Sequence, residues 1–154
     1  MTKFLLPTLL LTLFLNLAIS LPLHKRAACS SAVQNFVNGI NDNITVQKQE
    51  QAQTKVIQQE LAQATPDQDD FQSSKSKLIT IVNQGISIRT NNQKIAPSGN
   101  AAIAGLATVA KAQQGELKLA QGLTGNPTTD NPNLSKLQTM FSGGIQQNQQ
   151  NAKD

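Results

Sequence analysis

Asp67, Asp69 and Asp70 place three carboxyl groups within four residues, the feature of this chain nearest to acid-base chemistry. A carboxyl pair cleaves a glycosidic bond when one member protonates the leaving oxygen and the other attacks the sugar or activates water. Such a site also needs a cleft whose aromatic faces stack on the sugar, and the chain has no Trp and no Tyr. The position of the cluster suggests another role. Thr65 and Pro66 read as the N-cap and first residue of a helix, and acidic side chains in the first turn oppose the positive end of the helix dipole. A carboxylate-only hydrolase built on Asp69 and Asp70 is the least supported reading. No catalytic, cofactor-binding or metal-ligating residue is assigned, and the chain reads as a non-enzyme.

The absence of other chemistry follows from the amino terminus. Lys3 begins a short basic start, an apolar run extends from Phe4 through Leu17, and Ala18 and Ser20 are small residues at the minus-three and minus-one positions of a secretory cleavage site. Lys25-Arg26 follows, a dibasic pair similar to the sites cut by kexin-type proteases. The expected organisation is a signal peptide over residues 1–20, a short propeptide over 21–26, and a helical domain over 27–154 with a frayed carboxyl-terminal tail. Removal of residues 1–26 discards His24, the single histidine, so Ser-His-Asp and Cys-His relays and most catalytic zinc sites are excluded from the mature chain. It also discards Lys3, Lys25 and Arg26, leaving ten of the 13 basic residues against nine acidic ones, and the net charge falls from +4 to +1. With one arginine, Arg89, and no aromatic stacking platform of Trp or Tyr, the mature chain lacks the footprint of a nucleic-acid binder.

Cys29 is the only cysteine and cannot close an internal bridge. It is a buried small apolar group, a free reactive thiol, or a disulfide link to a second chain, which would make a dimer. No second long apolar run follows the first, so no transmembrane segment is expected, and the end from Gln146 to Asp154 is too polar for a glycolipid-anchor signal.

The elements that must position these residues read as helices throughout, giving an all-α, single up-and-down bundle of about four helices. Ser30 or Ser31 caps a stripe of Val33, Val37, Ile40 and Ile44 with Phe36 beside it, and the stripe resumes at Val56, Ile57 and Leu61. Gln47, Gln51 and Thr54 occupy stripe positions between, so the first helix reads as long, to about Ala64, with a poorly packed or kinked middle near Gly39 to Asn43. A second helix carries Phe71, Leu78, Ile81, Val82, Ile86 and Ile95, and ends at Pro97. The third, from about Asn100 to Leu123, mixes small residues such as Ala104 and Gly105 with Ile103, Leu106, Val109, Leu117 and Leu119, and Gly125 reads as its cap. Residues 125–132 read as an exposed loop. Asn131-Pro132 then opens a short fourth helix through Leu134, Leu137, Phe141 and Ile145, with Gly143-Gly144 as an expected break and fraying after about Gln149.

Two sequons pass the proline test, at Asn43 and Asn133, and both are candidate glycosylation sites if exposed. Ile81, Ile86, Leu106, Val109, Leu117 and Phe141 are candidates for the lining of an apolar ligand site between helices, the alternative being that they form the core.

The stretches Ala32 to Ile40, Ile88 to Pro97 and Gly99 to Leu106 resemble small secreted fungal proteins with an alanine- and glutamine-rich helical domain. In composition, length and helix layout the chain is similar to the fungal hydrophobic surface-binding and cell-wall mannoprotein group. That resemblance implies a secreted helical bundle that adsorbs to apolar surfaces or holds fatty acids, and it assigns no functional residue. The leading expectation is an extracellular or cell-wall-associated, non-enzymatic binding protein that contacts a cell-wall component, an apolar surface or a lipid. The alternative is a secreted effector or protein-interaction module that meets its partner through Gln- and Asn-rich faces or a Cys29-linked dimer.

Overall fold

A computed structural model describes residues 30–154. The expected signal segment, the processing residues Ser20, Lys25 and Arg26, and Cys29 with its expected partner chain lie outside the described residues. Four helices follow one another: α1 (Ser31–Leu61), α2 (Gln68–Ile95), α3 (Ala102–Gln121) and α4 (Pro127–Asn151), with no strand among the described residues. α1 and α3 each pack against both α2 and α4, and the diagonal pairs do not touch along their backbones. Short connections turn each helix back along its predecessor, which gives the expected up-and-down bundle.

One repeat builds all four elements. In α1 the buried positions Phe36, Ile40, Asn43, Gln47, Glu50, Thr54, Ile57 and Leu61 step by alternating fours and threes. The same steps connect Leu78, Val82, Gly85, Arg89 and Asn92 in α2, Ala102 through Ala120 in α3, and Asp130, Leu134, Leu137, Phe141, Gly144, Asn148 and Asn151 in α4. A period of about 3.5 residues keeps one seam of each helix turned to its neighbours along its whole length. Apart from Val109, apolar side chains fill this seam at its two ends. One core gathers Ile57, Leu61, Phe71, Leu78, Val82, Ala120, Leu123, Leu134, Leu137 and Phe141. The other holds Phe36, Ile40, Ile44, Ala102 and Leu106. Between them the seam is polar.

Several boundaries differ from the sequence expectation, each for a local reason. α1 is continuous through Gly39 to Asn43, and this stretch is well packed, since Ile40 and Asn43 are both buried. α2 is capped by Asp67 rather than Thr65, because the Asp67 carboxylate accepts from the amides of Asp69 at 2.8 Å and Asp70 at 3.1 Å. α4 starts at Pro127, not Asn131, because Asn126-Pro127 supplies a cap and a first-turn proline earlier, with Asn126 Oδ1 accepting from Thr128 N at 2.9 Å. Pro132 lies inside the helix, where its missing N–H removes the bond it would give to the carbonyl of Thr128, an exposed residue. The expected break at Gly143-Gly144 does not occur, and the tail does not fray at Gln149, because Asn148 and Asn151 are buried and bonded to each other.

The turn between α3 and α4 is organised by Asp130, a residue absent from the sequence expectations. Its buried carboxylate accepts from Thr124 N at 2.9 Å and Gly125 N at 2.7 Å, while Gly125 adopts a φ of +88° that only glycine tolerates well. Asp130→Ala leaves both amides without a partner and is expected to cost about 2–3 kcal/mol of stability, measured by urea unfolding. Asp130→Asn, which keeps one acceptor oxygen, is expected to lose less.

Candidate functional site

The middle of the bundle is built by residues that a core normally excludes. Asn43, Gln47 and Glu50 from α1, Arg89 and Asn92 from α2, Gln113 and Glu116 from α3, and Asn148 and Asn151 from α4 are all buried. Most of the amides form one directed chain. Asn43 Nδ2 donates to the Gly85 carbonyl at 2.7 Å, which turns Asn43 Oδ1 toward α4 to accept from Asn148 Nδ2 at 2.8 Å. Asn148 Nδ2 also reaches Gln47 Oε1 at 3.0 Å. Asn148 Oδ1 accepts from Asn151 Nδ2 at 3.2 Å, and Asn151 Oδ1 accepts from Gln147 Nε2 at 2.9 Å. A backbone carbonyl can only accept, so the contact at Gly85 sets the orientation of every amide upstream of it.

Glycines make room for this layer. A methyl group on Gly85 would lie 3.0 Å from Glu50 Oε1 and 3.2 Å from Gln113 Nε2, and one on Gly144 would collide with the Gln47 amide. Gly39 faces Asn92 and Gly105 faces Asn151 with the same tightness. Each glycine sits where a long polar side chain from a neighbouring helix needs space close to the backbone.

Two carboxyls lie in this layer. Glu50 and Glu116 are both fully buried, and none of their four oxygens has a hydrogen-bond partner among the described residues. Burial pushes the Glu50 carboxyl up to about 9, with the nearby Glu116 charge adding to the shift. Burial alone raises Glu116 to about 7. Burial also lowers the Arg89 guanidinium, whose Nε donates to Gln113 Oε1 at 3.0 Å and Nη1 to Gln93 Oε1 at 2.7 Å. Among the described residues no group of three or more His, Cys, Asp and Glu side chains is gathered as a metal site.

The structure separates the residues singled out in the sequence. Asp67, Asp69 and Asp70 stand at the exposed start of α2, where Asp67 caps the helix. The Asn43 sequon is closed in the fold: its amide is buried and committed to Gly85 and Asn148, and the expectation of an exposed acceptor is corrected there. Asn133 is half-buried in α4, its Nδ2 donating to Thr129 O at 3.2 Å. The six candidate lining residues do not converge. Phe141 belongs to one core and Leu106 to the other, and Ile86 and Leu117 pack against the first. Ile81 and Val109 border separate surface grooves. A shared apolar chamber lined by these six is thus corrected to core and groove positions.

Open apolar space lies on the outside. Along the α3–α4 seam one groove of about 390 Å³ is lined by Gly115, Lys118, Leu119, Gly122, Asn133, Lys136 and Met140. A second of about 300 Å³ continues past Met140 to Val109, Ala112, Gly143 and Gly144. A third, of about 500 Å³, lies between α1 and α2 beside Ala52, Val56, Lys77 and Ile81. No helix among the described residues is long and apolar enough to cross a membrane. No protein-family profile, curated protein or solved structure matches this chain.

Asn43→Leu removes the amide that bridges α1, α2 and α4 and leaves the Gly85 carbonyl and Asn148 without their partner. It is expected to cost about 2–3 kcal/mol by chemical unfolding. The Asn43→Ala and Asn148→Ala changes are expected to be non-additive by about 0.5–3 kcal/mol in a double-mutant cycle, because they share one hydrogen bond.

Proposed function

We propose that this chain is a secreted, non-enzymatic binding protein whose α3–α4 seam contacts an apolar surface or the chain of a lipid, in solution or in a cell wall. The observation that carries the reading is the continuity of this seam. Met140 borders both grooves, and its Cε lies 3.0 Å from where a side chain on Gly115 would begin. From Thr108 to Gly122 the seam follows α3 for about 21 Å. Gly115, Ala112, Gly143 and Gly144 keep its walls low, and the flexible Met140 thioether is the one long side chain at its centre. Lys118 and Lys136 flank one end, so an amphiphile lying along the seam meets cations where an anionic head group would emerge.

The secretory part of the reading is supported by the apolar run from Phe4 to Leu17, the small residues Ala18 and Ser20, and Lys25-Arg26. The non-enzymatic part is supported by the placement of the carboxyls. The perturbed pair is sealed inside the bundle away from substrate, and the exposed Asp67, Asp69 and Asp70 cluster serves a helix start.

Native mass spectrometry of the protein from a secreting host is expected to show the mass of residues 27–154 plus an adduct of a few hundred daltons that delipidation removes. Gly115→Leu, which fills the seam against the mobile end of Met140, is expected to abolish the adduct and to reduce adsorption to alkyl-coated beads at least tenfold while leaving the fold intact. A bare protein that also ignores the beads would refute the reading and favour a protein-interaction role.

A further inference from the structure

Glu50 on α1 and Glu116 on α3 come from diagonal helices that have no backbone contact with each other, so the electrostatic coupling of their buried carboxyls runs across the centre of the bundle. The surroundings supply donors. Gln113 Oε1 is taken by Arg89 Nε, and Gln47 Oε1 by Asn148, so the amide nitrogens of both glutamines remain unpartnered and buried in the same layer. Gln113 Nε2 and Glu50 Oε1 converge on the Gly85 backbone.

Neither carboxyl is hydrogen-bonded to a cation among the described residues. α2 contributes the cation Arg89, whose guanidinium donates to Gln113 and Gln93 and to neither carboxyl. α4 contributes Phe141, Gly144 and Asn148, none of which titrates, and α1 and α3 contribute the two carboxyls themselves. Two like charges at this place would be buried without a hydrogen-bonded counterion among the described residues, whereas two neutral carboxyls are hydrogen-bonding groups that a polar layer accommodates.

We propose that the Glu50–Glu116 pair is a proton-controlled latch: with both carboxyls protonated the middle of the bundle stays closed, and their ionisation drives the four helices apart there and admits water. The two apolar cores at the ends hold the helices together while the middle opens. The latch acts whether or not the α3–α4 seam binds a ligand. Acidic surroundings keep it shut. As pH rises Glu116 loses its proton first, and Glu50, the more strongly shifted, follows.

The sign follows from linkage. Both groups hold protons more tightly folded than unfolded, so their stabilising contribution is complete below about pH 4.5 and is lost as pH climbs through about 7 and then about 9. Each group adds up to tenfold per pH unit to the unfolding constant across its window. The wild-type constant, from urea titrations, is expected to rise at least a hundredfold between pH 5 and pH 8. Amide exchange, corrected for its intrinsic pH dependence, is expected to accelerate more at residues 47–54 and 109–116 than in the end cores. The double variant Glu50→Gln, Glu116→Gln copies the neutral pair and is expected to change less than threefold over the same range. Equal pH dependence in wild type and double variant would overturn the latch. Carbon-detected carboxyl NMR on the wild-type protein reads the same point without a variant: titration of both groups near pH 4.5 contradicts the proposal, and midpoints above pH 6 support it.

Discussion

Every helix of this bundle turns the same heptad seam inward, and in the central turns that seam is made of amides, carboxyls and glycine instead of leucine. A polar group out of water costs several kcal/mol if unpaired and little if well paired. The middle layer is therefore tolerable only with the helices in one register. Asn43 must reach the Gly85 carbonyl, Asn148 must reach both Asn43 and Gln47, and Gln47 must lie against Gly144. A slip of α4 by one turn would move Asn148 away from α1 and bring a bulky residue to the place of Gly144. The apolar ends tolerate such slips far better, since Leu and Ile pack against many neighbours. Adhesion comes from the ends, and alignment comes from the middle.

This division accounts for two features that look unfavourable in isolation. Glycines inside helices are destabilising by roughly 0.5–1 kcal/mol each relative to alanine, yet Gly39, Gly85, Gly105 and Gly144 each lie beneath a polar side chain that a methyl group would displace. Few large aromatic residues are available, with five Phe and no Trp or Tyr. Three of the phenylalanines, Phe36, Phe71 and Phe141, are fully buried and belong to the two end cores, where apolar packing is concentrated. A small domain thus reaches a unique arrangement with a modest apolar supply because its polar groups specify the pairing.

The helical class, the helix number and the length of α1 were legible because apolar spacing and Pro/Gly punctuation carry that information. The α1 cap was legible to within one residue, as Ser30 or Ser31, and it is Ser30. The polar layer was not, because polar residues at stripe positions such as Gln47 and Thr54 signal weak packing when judged by hydrophobicity, whereas 36, 40, 43, 47, 50, 54, 57 and 61 form an unbroken heptad series whatever their chemistry. Position in that series, rather than hydrophobicity, marks Glu50 as an inside residue. Glu116, between Val109, Gln113 and Ala120 at the same spacing, carries the same signal in α3. The burial of Asn43 was hidden by the sequon pattern, which says nothing about which side of a helix the acceptor faces. The start of α4 was not legible because two Asn-Pro pairs, at 126 and 131, offer the same start signal, and only the docking of Asp130 under the Thr124–Gly125 turn decides between them.

The claim that a paired polar layer sets the register is tested most directly by solvent exchange of side-chain amide protons, resolved by NMR in the intact folded protein. The account predicts that the Asn43 and Asn148 side-chain NH₂ groups exchange as slowly as backbone amides of the apolar cores, while exposed amides such as those of Gln146 and Gln149 exchange at once. Fast exchange at Asn43 and Asn148, with the end cores still protected, would contradict it.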